Sequence, residues 1–207
     1  MSNWRTESPE VFYAPIEHIA VGATELNKLK RLALQNPRRR ARLCTHISPN
    51  DLLHEMFIVH YMGCYVRAHR HLEKVESILV LEGEGQIVFF EESGGITEIV
   101  TLSATDRRSH FYHRIPQMAY HMILISSEVM VFHETTTGPY VRAHTTFPDW
   151  SPPNIPDENC EFMSRVETAL SHKRNTKLPT IFFGTTLVVE CAPQLGLNLQ
   201  SGLLTRL

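Results

Sequence analysis

Histidine is in surplus in this 207-residue chain, which has twelve copies, and two of them raise the question of chemistry. His69 and His71 lie two positions apart in GCYVRAHRHLEKVESILVLEG, residues 63–83, so on an extended strand both imidazoles leave the same face. Glu76 follows five residues later, far enough for the chain to bend and return a carboxylate toward those rings. A second stretch, FYHRIPQMAYHMILI, offers His121 five residues after Pro116. Two or three neutral imidazoles converging with one carboxylate inside a barrel form a first-row transition-metal site. A lone strand histidine defaults to a hydrogen-bonded core residue, the first reading for His46, His60, His110, His113 and His133. For His69, His71 and Glu76 the spacing reverses that default, because a buried carboxylate between imidazoles is costly without a cation.

A second constellation is cationic. Arg40, Arg42, Cys44 and His46 alternate with Ala41, Leu43 and Thr45, so one strand face carries two guanidinium groups, a thiol and an imidazole. Facing inward, it makes a wall that reads a carboxylate or phosphate, with Arg40, Arg42 and His46 as substrate contacts; facing outward, it is a solvated edge. Arg67 shares the phase of His69 and His71 and joins the substrate-contact set, and Tyr65 is either pocket lining or core. Tyr112, His113 and Tyr120 are the candidates to move a proton.

These side chains need a scaffold, and the apolar pattern supplies three segments. Residues 1–37 read as a leader: an extended piece near Val11 to Ile19, then a helix from a Thr24 cap to about Gln35, with Leu26, Leu29, Leu32 and Ala33 on one face and Pro37 closing it. Residues 38–156 read as a β-barrel. Strand-like runs fall near 40–47, 54–68, 75–81, 85–91, 96–102, 111–115, 119–125 and 128–134, with glycine turns at 82–85 and 93–95 and no intervening helices. Such spacing predicts an antiparallel sandwich or barrel. A proline-rich strap around Trp150 follows. Residues 157–207 then read as an extension with a helix near 158–171 and a strand-like run from Thr180 to Cys191.

Composition narrows the partners. Twenty Lys and Arg against 22 Asp and Glu give a net charge of −2, which creates no overall field for nucleic acid or an anionic membrane. No apolar stretch has the length of a membrane span, and MSNWRTESPE has neither the basic start nor the apolar run of a secretion signal, so a cytoplasmic protein is expected. Cys44, Cys64, Cys160 and Cys191 form no CxxC pair and read as free, mostly buried thiols.

The stretch from Gly63 to Gly83 resembles the first motif of the cupin superfamily at every fixed position: Gly63, His69, His71, Glu76 and Gly83. PQMAYH resembles the core of the second, with Met118 where glycine is usual and Ile125 where asparagine is usual. Over about residues 38–153 the chain is most similar to the WbuC-type cupin fold metalloproteins, through RRRARLCTH, AHRHLEKVES, FYHRIPQMAYH and SEVMVFHETTTGPY with FPDWSPP. This resemblance implies a mainly β fold, a double-stranded β-helix or jelly roll, with a divalent transition metal held by His69, His71, Glu76 and His121. It also implies a link to polysaccharide biosynthesis. Iron(II) is favoured, and zinc, manganese, nickel or copper also suit the donors. The expected function is a small-molecule metalloenzyme, an oxygenase or a Lewis-acid isomerase or lyase, acting on a polar anionic or sugar-like metabolite. The alternative is a metal-assisted ligand-binding or sensor module without turnover. Strand edges and the run Ile181 to Val189 predict a homodimer.

Overall fold

The computed structural model describes residues 3–15, 19–153 and 156–176. The strand-like run from Thr180 to Cys191 lies outside the described residues. The elements in chain order are β1 (Arg5–Ser8), β2 (Val11–Tyr13), α1 (Ala23–Gln35), β3 (Arg40–Cys44), β4 (Leu53–Tyr61), β5 (Arg70–His71), β6 (Glu76–Glu82), β7 (Glu84–Phe90), β8 (Ile96–Ser103), β9 (Tyr112–Ile115), β10 (Tyr120–Ile125), β11 (Val129–Thr137), β12 (Thr145–Thr146) and α2 (Pro156–Thr176). The fold is a mainly β jelly roll. A seven-stranded sheet, β1-β2-β3-β4-β11-β6-β9, faces a three-stranded one, β10-β7-β8, and β12 pairs with β5 beside them. The sheets share one core: Ile58, Ile78, Met130 and Phe132 of the large sheet pack with Ile87, Phe89, Leu102 and Ile123 of the small one. All pairings are antiparallel except β2 with β3.

Alternation along each strand decides what is inside. In β3, Ala41 and Leu43 point away from the shared core and are covered by Leu29 and Ala33 of α1, which leaves Arg40, Arg42 and Cys44 facing inward. On the small sheet, Val88, Phe90, Met122 and Leu124 face outward, where Phe162, Val166 and Leu170 of α2, spaced four apart, cover them. The segment read as a leader therefore adds β1 and β2 to the large sheet and lays α1 against it.

Three local expectations are corrected. The α1 cap is Gly22, not Thr24, because the Glu25 carboxylate in the first turn accepts the Gly22 N–H at 3.0 Å. The strand expected to run on to residue 68 stops at Tyr61, where a turn closes with Cys64 N–H donating to the Tyr61 carbonyl at 2.9 Å and Gly63 takes φ +83°. His69 and His71 consequently sit at a two-residue strand and an isolated bridge to His121. The second helix runs to Thr176, beyond the expected end at 171. Gly83, at the β6–β7 turn, has φ +78°, and a Cβ there would lie 2.1 Å from the Val129 carbonyl oxygen, so no other residue fits without moving that backbone.

Candidate metal centre

Four side chains from three parts of the fold meet between the sheets. His121 comes from β10 and Glu76 from the first position of β6; His71 lies on β5, and His69 is bridged directly to His121. The bridge carries two backbone hydrogen bonds, His69 N–H to the His121 carbonyl at 3.0 Å and His121 N–H to the His69 carbonyl at 2.9 Å. One ligand atom from each of the four lies within 4.8 Å of every other. His71 Nε2 is 3.0 Å and His121 Nε2 is 3.8 Å from Glu76 Oε2.

The rings are held from behind. His69 Nδ1–H donates to the Arg67 carbonyl at 2.8 Å and His121 Nδ1–H to the Ala119 carbonyl at 2.9 Å, both two residues back, which turns each Nε2 toward the centre. His71 Nδ1 meets Thr145 Oγ1 on β12 at 3.1 Å. The Nε2 of His121 is buried without a hydrogen-bond partner. A buried nitrogen lone pair aimed at three other donors is what a cation would satisfy, so the residues fit a first-row divalent ion. Electrostatics point the same way. Burial pushes His69 down to about 3 and also lowers His121, so both rings are neutral ligands. Burial also works against ionisation of Glu76, but the His71 hydrogen bond and the surrounding imidazoles outweigh it and hold the carboxyl below the usual carboxylate range.

The centre opens into a cavity of about 490 Å³ bordered by the inward face of β3, within the size range of small-ligand sites. Arg40, Arg42 and His46 all line it, so of the two orientations open for the cationic strand the inward one is present. Their commitments differ. Arg40 Nε donates to Glu10 Oε2 at 2.8 Å. His46 stacks on His54 with ring centroids 4.1 Å apart. Arg42 has only Met56 Sδ at 4.0 Å, and no carboxylate among the described residues pairs with it. Arg67 borders the cavity, but its guanidinium is taken by the strap, with Nε donating to the Ser151 carbonyl at 2.8 Å and Nη2 to that of Pro148 at 3.4 Å.

The proton-transfer candidates do not reach this cavity. Tyr112 is 49% exposed on the edge strand β9. Tyr120 precedes His121 on one strand and so points to the opposite face, where it packs with the α2 cluster under the Arg70 guanidinium, 4.3 Å from its ring. His113 packs at a tilt against Phe89, centroids 5.6 Å apart, and Phe89 in turn packs at a tilt near His121. Tyr65 belongs to the outer cluster and donates its hydroxyl to the Pro152 carbonyl at 2.8 Å.

Two charged cavity residues without an ion pair among the described residues are not marked out by the sequence pattern alone. Glu134 on β11 lies against Glu76, and burial plus that neighbouring carboxylate raise its pKa well above the usual range. Its signal was present: Glu134 shares the alternation phase of Met130 and Phe132, both in the core. Lys74 is the other. It is only 7% exposed, burial lowers its pKa, and its ammonium lies 4.7 Å from the Tyr140 ring. It sits in a turn, where no periodicity announces a facing. The usual-glycine position Met118 has φ +66°, the left-handed conformation a glycine would favour, and its side chain is exposed outside the cavity lining.

A family model described as a domain of unknown function (DUF6016) matches residues 21–102, a span that includes His69, His71 and Glu76 and ends before His121. No curated protein matches the chain. Among solved structures, the capsular polysaccharide assembling protein CapF from Staphylococcus aureus is 22% identical with a TM-score of 0.40, over 48% of this chain and 27% of its own. The cupin domain of Cnp3 from Schizosaccharomyces pombe is 8% identical with a TM-score of 0.39, over 48% of this chain and 64% of its own. Oxalate decarboxylase from Bacillus subtilis, which has Mn(II) centres, is 13% identical with a TM-score of 0.38, over 47% of this chain and 24% of its own. These neighbours are cupin-fold proteins, and the chain spans less than two thirds of the length of each. At such TM-scores they assign it no activity.

Proposed function

We propose that this protein is a divalent-metal cupin, nearest in its motifs to the WbuC-type metalloproteins, that acts on a small anionic metabolite. The observation that carries the reading is the four-donor cluster with its rings fixed from behind and the His121 Nε2 left buried without a partner. His69, His71, Glu76 and His121 would hold the ion, which when bound supplies a Lewis-acid centre and, if it is iron(II), a site for dioxygen. The protein's own part is to keep the His69 and His121 imidazoles neutral, to hold Glu76 ionised, and to place Glu134 beside Glu76 on the cavity wall. Buried free thiols at Cys44 and Cys64 suit a reducing cytoplasm, and the edge strands β1 and β9 offer a second copy a place to pair. No helix among the described residues is long and apolar enough to cross a membrane.

Elemental analysis of protein purified without added metal tests the centre. We expect about one transition-metal ion per chain, and a chain that takes up none at any metal concentration overturns the reading. Anaerobic reconstitution with iron(II), followed by oxygen uptake against a metabolite panel, tests the oxidative branch. The second reading, a metal-assisted binding or sensor module, is favoured by the outward placement of Tyr112 and Tyr120. It predicts a ligand that survives purification unchanged.

A further inference from the structure

One more wall of the cavity remains beside the four donors, and its charges do not balance once an ion is counted. Two further acids border it, but both are paired: Glu10 with Arg38 and Arg40, and Glu7 with Arg5. The guanidinium of Arg67 is spent on strap carbonyls. That leaves Arg42 and Lys74. Neither has an ion pair among the described residues, and the Lys74 ammonium, on a side chain more than nine-tenths buried, contacts only the face of Tyr140, which lines the same cavity. Among the described residues Glu134 borders the cavity beside Glu76 and feels both cations, but it forms an ion pair with neither. A divalent ion held by the four donors, together with Arg42 and Lys74, outweighs Glu76 and Glu134 even when both are ionised. Lys74 is buried without an ion pair of its own, which is costly, and a bound anion offsets that cost and the excess positive charge.

We propose that Arg42 and Lys74 form an anion subsite that grips the carboxylate or phosphate arm of a ligand whose other oxygens reach the metal centre. The ligand class is then a small oxyanion-bearing molecule, not a neutral sugar. Arg42 offers a planar fork suited to two oxygens of one group, and Lys74 a compact charge, a pairing that accepts either anion. The inference rests on the metal reading for the ligand's second anchor and on Arg42 and Lys74 alone for the first.

The test uses the full chain loaded with Mn(II), titrated calorimetrically with malonate, with inorganic phosphate and with glycerol, alongside Lys74→Met, Arg42→Met and Arg42→Lys. Mn(II) stoichiometry is counted separately by electron paramagnetic resonance, and folding is checked by circular dichroism. We expect the wild-type protein to bind malonate or phosphate and not glycerol; the stronger of the two identifies the arm. Both methionine variants should keep their Mn(II) and lose about tenfold or more in anion affinity, while Arg42→Lys keeps part of it. Unchanged anion affinity in the methionine variants, or no binding of either anion by wild type, overturns the subsite. Should wild type take up no Mn(II), the metal reading fails, and the same titrations on metal-free protein still decide the subsite. Should Arg42→Met not fold, Lys74→Met carries the decision.

Discussion

The imidazoles of His69 and His121 each donate Nδ1–H to a carbonyl two residues earlier, whereas on another wall of the same cavity Arg42 rests against one thioether and Lys74 against one ring. The first wall is prepaid: backbone geometry fixes where each Nε2 points before anything binds. The second holds two long side chains by one soft contact each, with no hydrogen bond fixing where the charged heads point, so ordering them costs entropy on binding. A rigid wall suits an ion of fixed radius and a loose wall suits an anion of variable reach, so one cavity divides its work by how tightly each wall is tethered.

The most damaging way to break that comparison is to remove the one carboxylate at the rigid wall. Glu76→Gln should lower affinity for Mn(II) by at least about 100-fold, above the loss typical of outer-shell partners, as read by metal titration; retained affinity would mean that the imidazoles suffice. At the loose wall His60 is neutral, because burial pushes its pKa from 6.5 down to about 3. The unfolded chain takes up that proton below pH 6.5 while the folded one resists it down to about 3, so the stability this neutral ring contributes is present above about pH 6.5 and is lost as the pH falls through that window. For metal-free protein we expect His60→Phe to reduce the loss of stability between about pH 7 and 5 by about 2 kcal/mol, measured by urea unfolding at both pH values.

Smaller effects sharpen the contrast. Thr145→Val removes the partner of His71 Nδ1, the one ring among the three that is held by a side chain and not by a carbonyl. Metal affinity should fall about tenfold, and Thr145→Ser should keep it; equal affinity in both variants would show that the ring needs no such support. Met118→Gly should relieve the left-handed backbone at φ +66° and raise stability by about 0.5–1 kcal/mol in thermal unfolding, without changing metal affinity.

The rigid wall was largely legible in the residues. A two-residue interval puts His69 and His71 on one side whatever the length of the strand, and the apolar runs of β6, β7, β8 and β10 locate the sheets that carry Glu76 and His121. The same alternation contained a correction that the sequence reading did not use: if His121 points inward, Tyr120 must point outward. Alternation also places Arg40 and Arg42 on a shared face while leaving open whether that face is wet or enclosed. The answer came from α1, whose Leu29 and Ala33 cover Ala41 and Leu43 and so turn the arginines toward the cavity. Lys74 and the strap lie in turns and proline-rich chain, where side-chain direction has no period to betray it.

What the sequence determined by itself is local: which residues alternate, where glycine must turn the chain, and which donors are spaced to meet. Only the tertiary structure decided which arginine is spent on Glu10, that the strap carbonyls consume Arg67, and that Lys74 and Glu134 stand beside the metal donors. The physical reason is that direction along a strand is set by the covalent backbone, whereas the partner a charge finds depends on segments brought together from 30 or more residues away, as with Arg40 and Glu10.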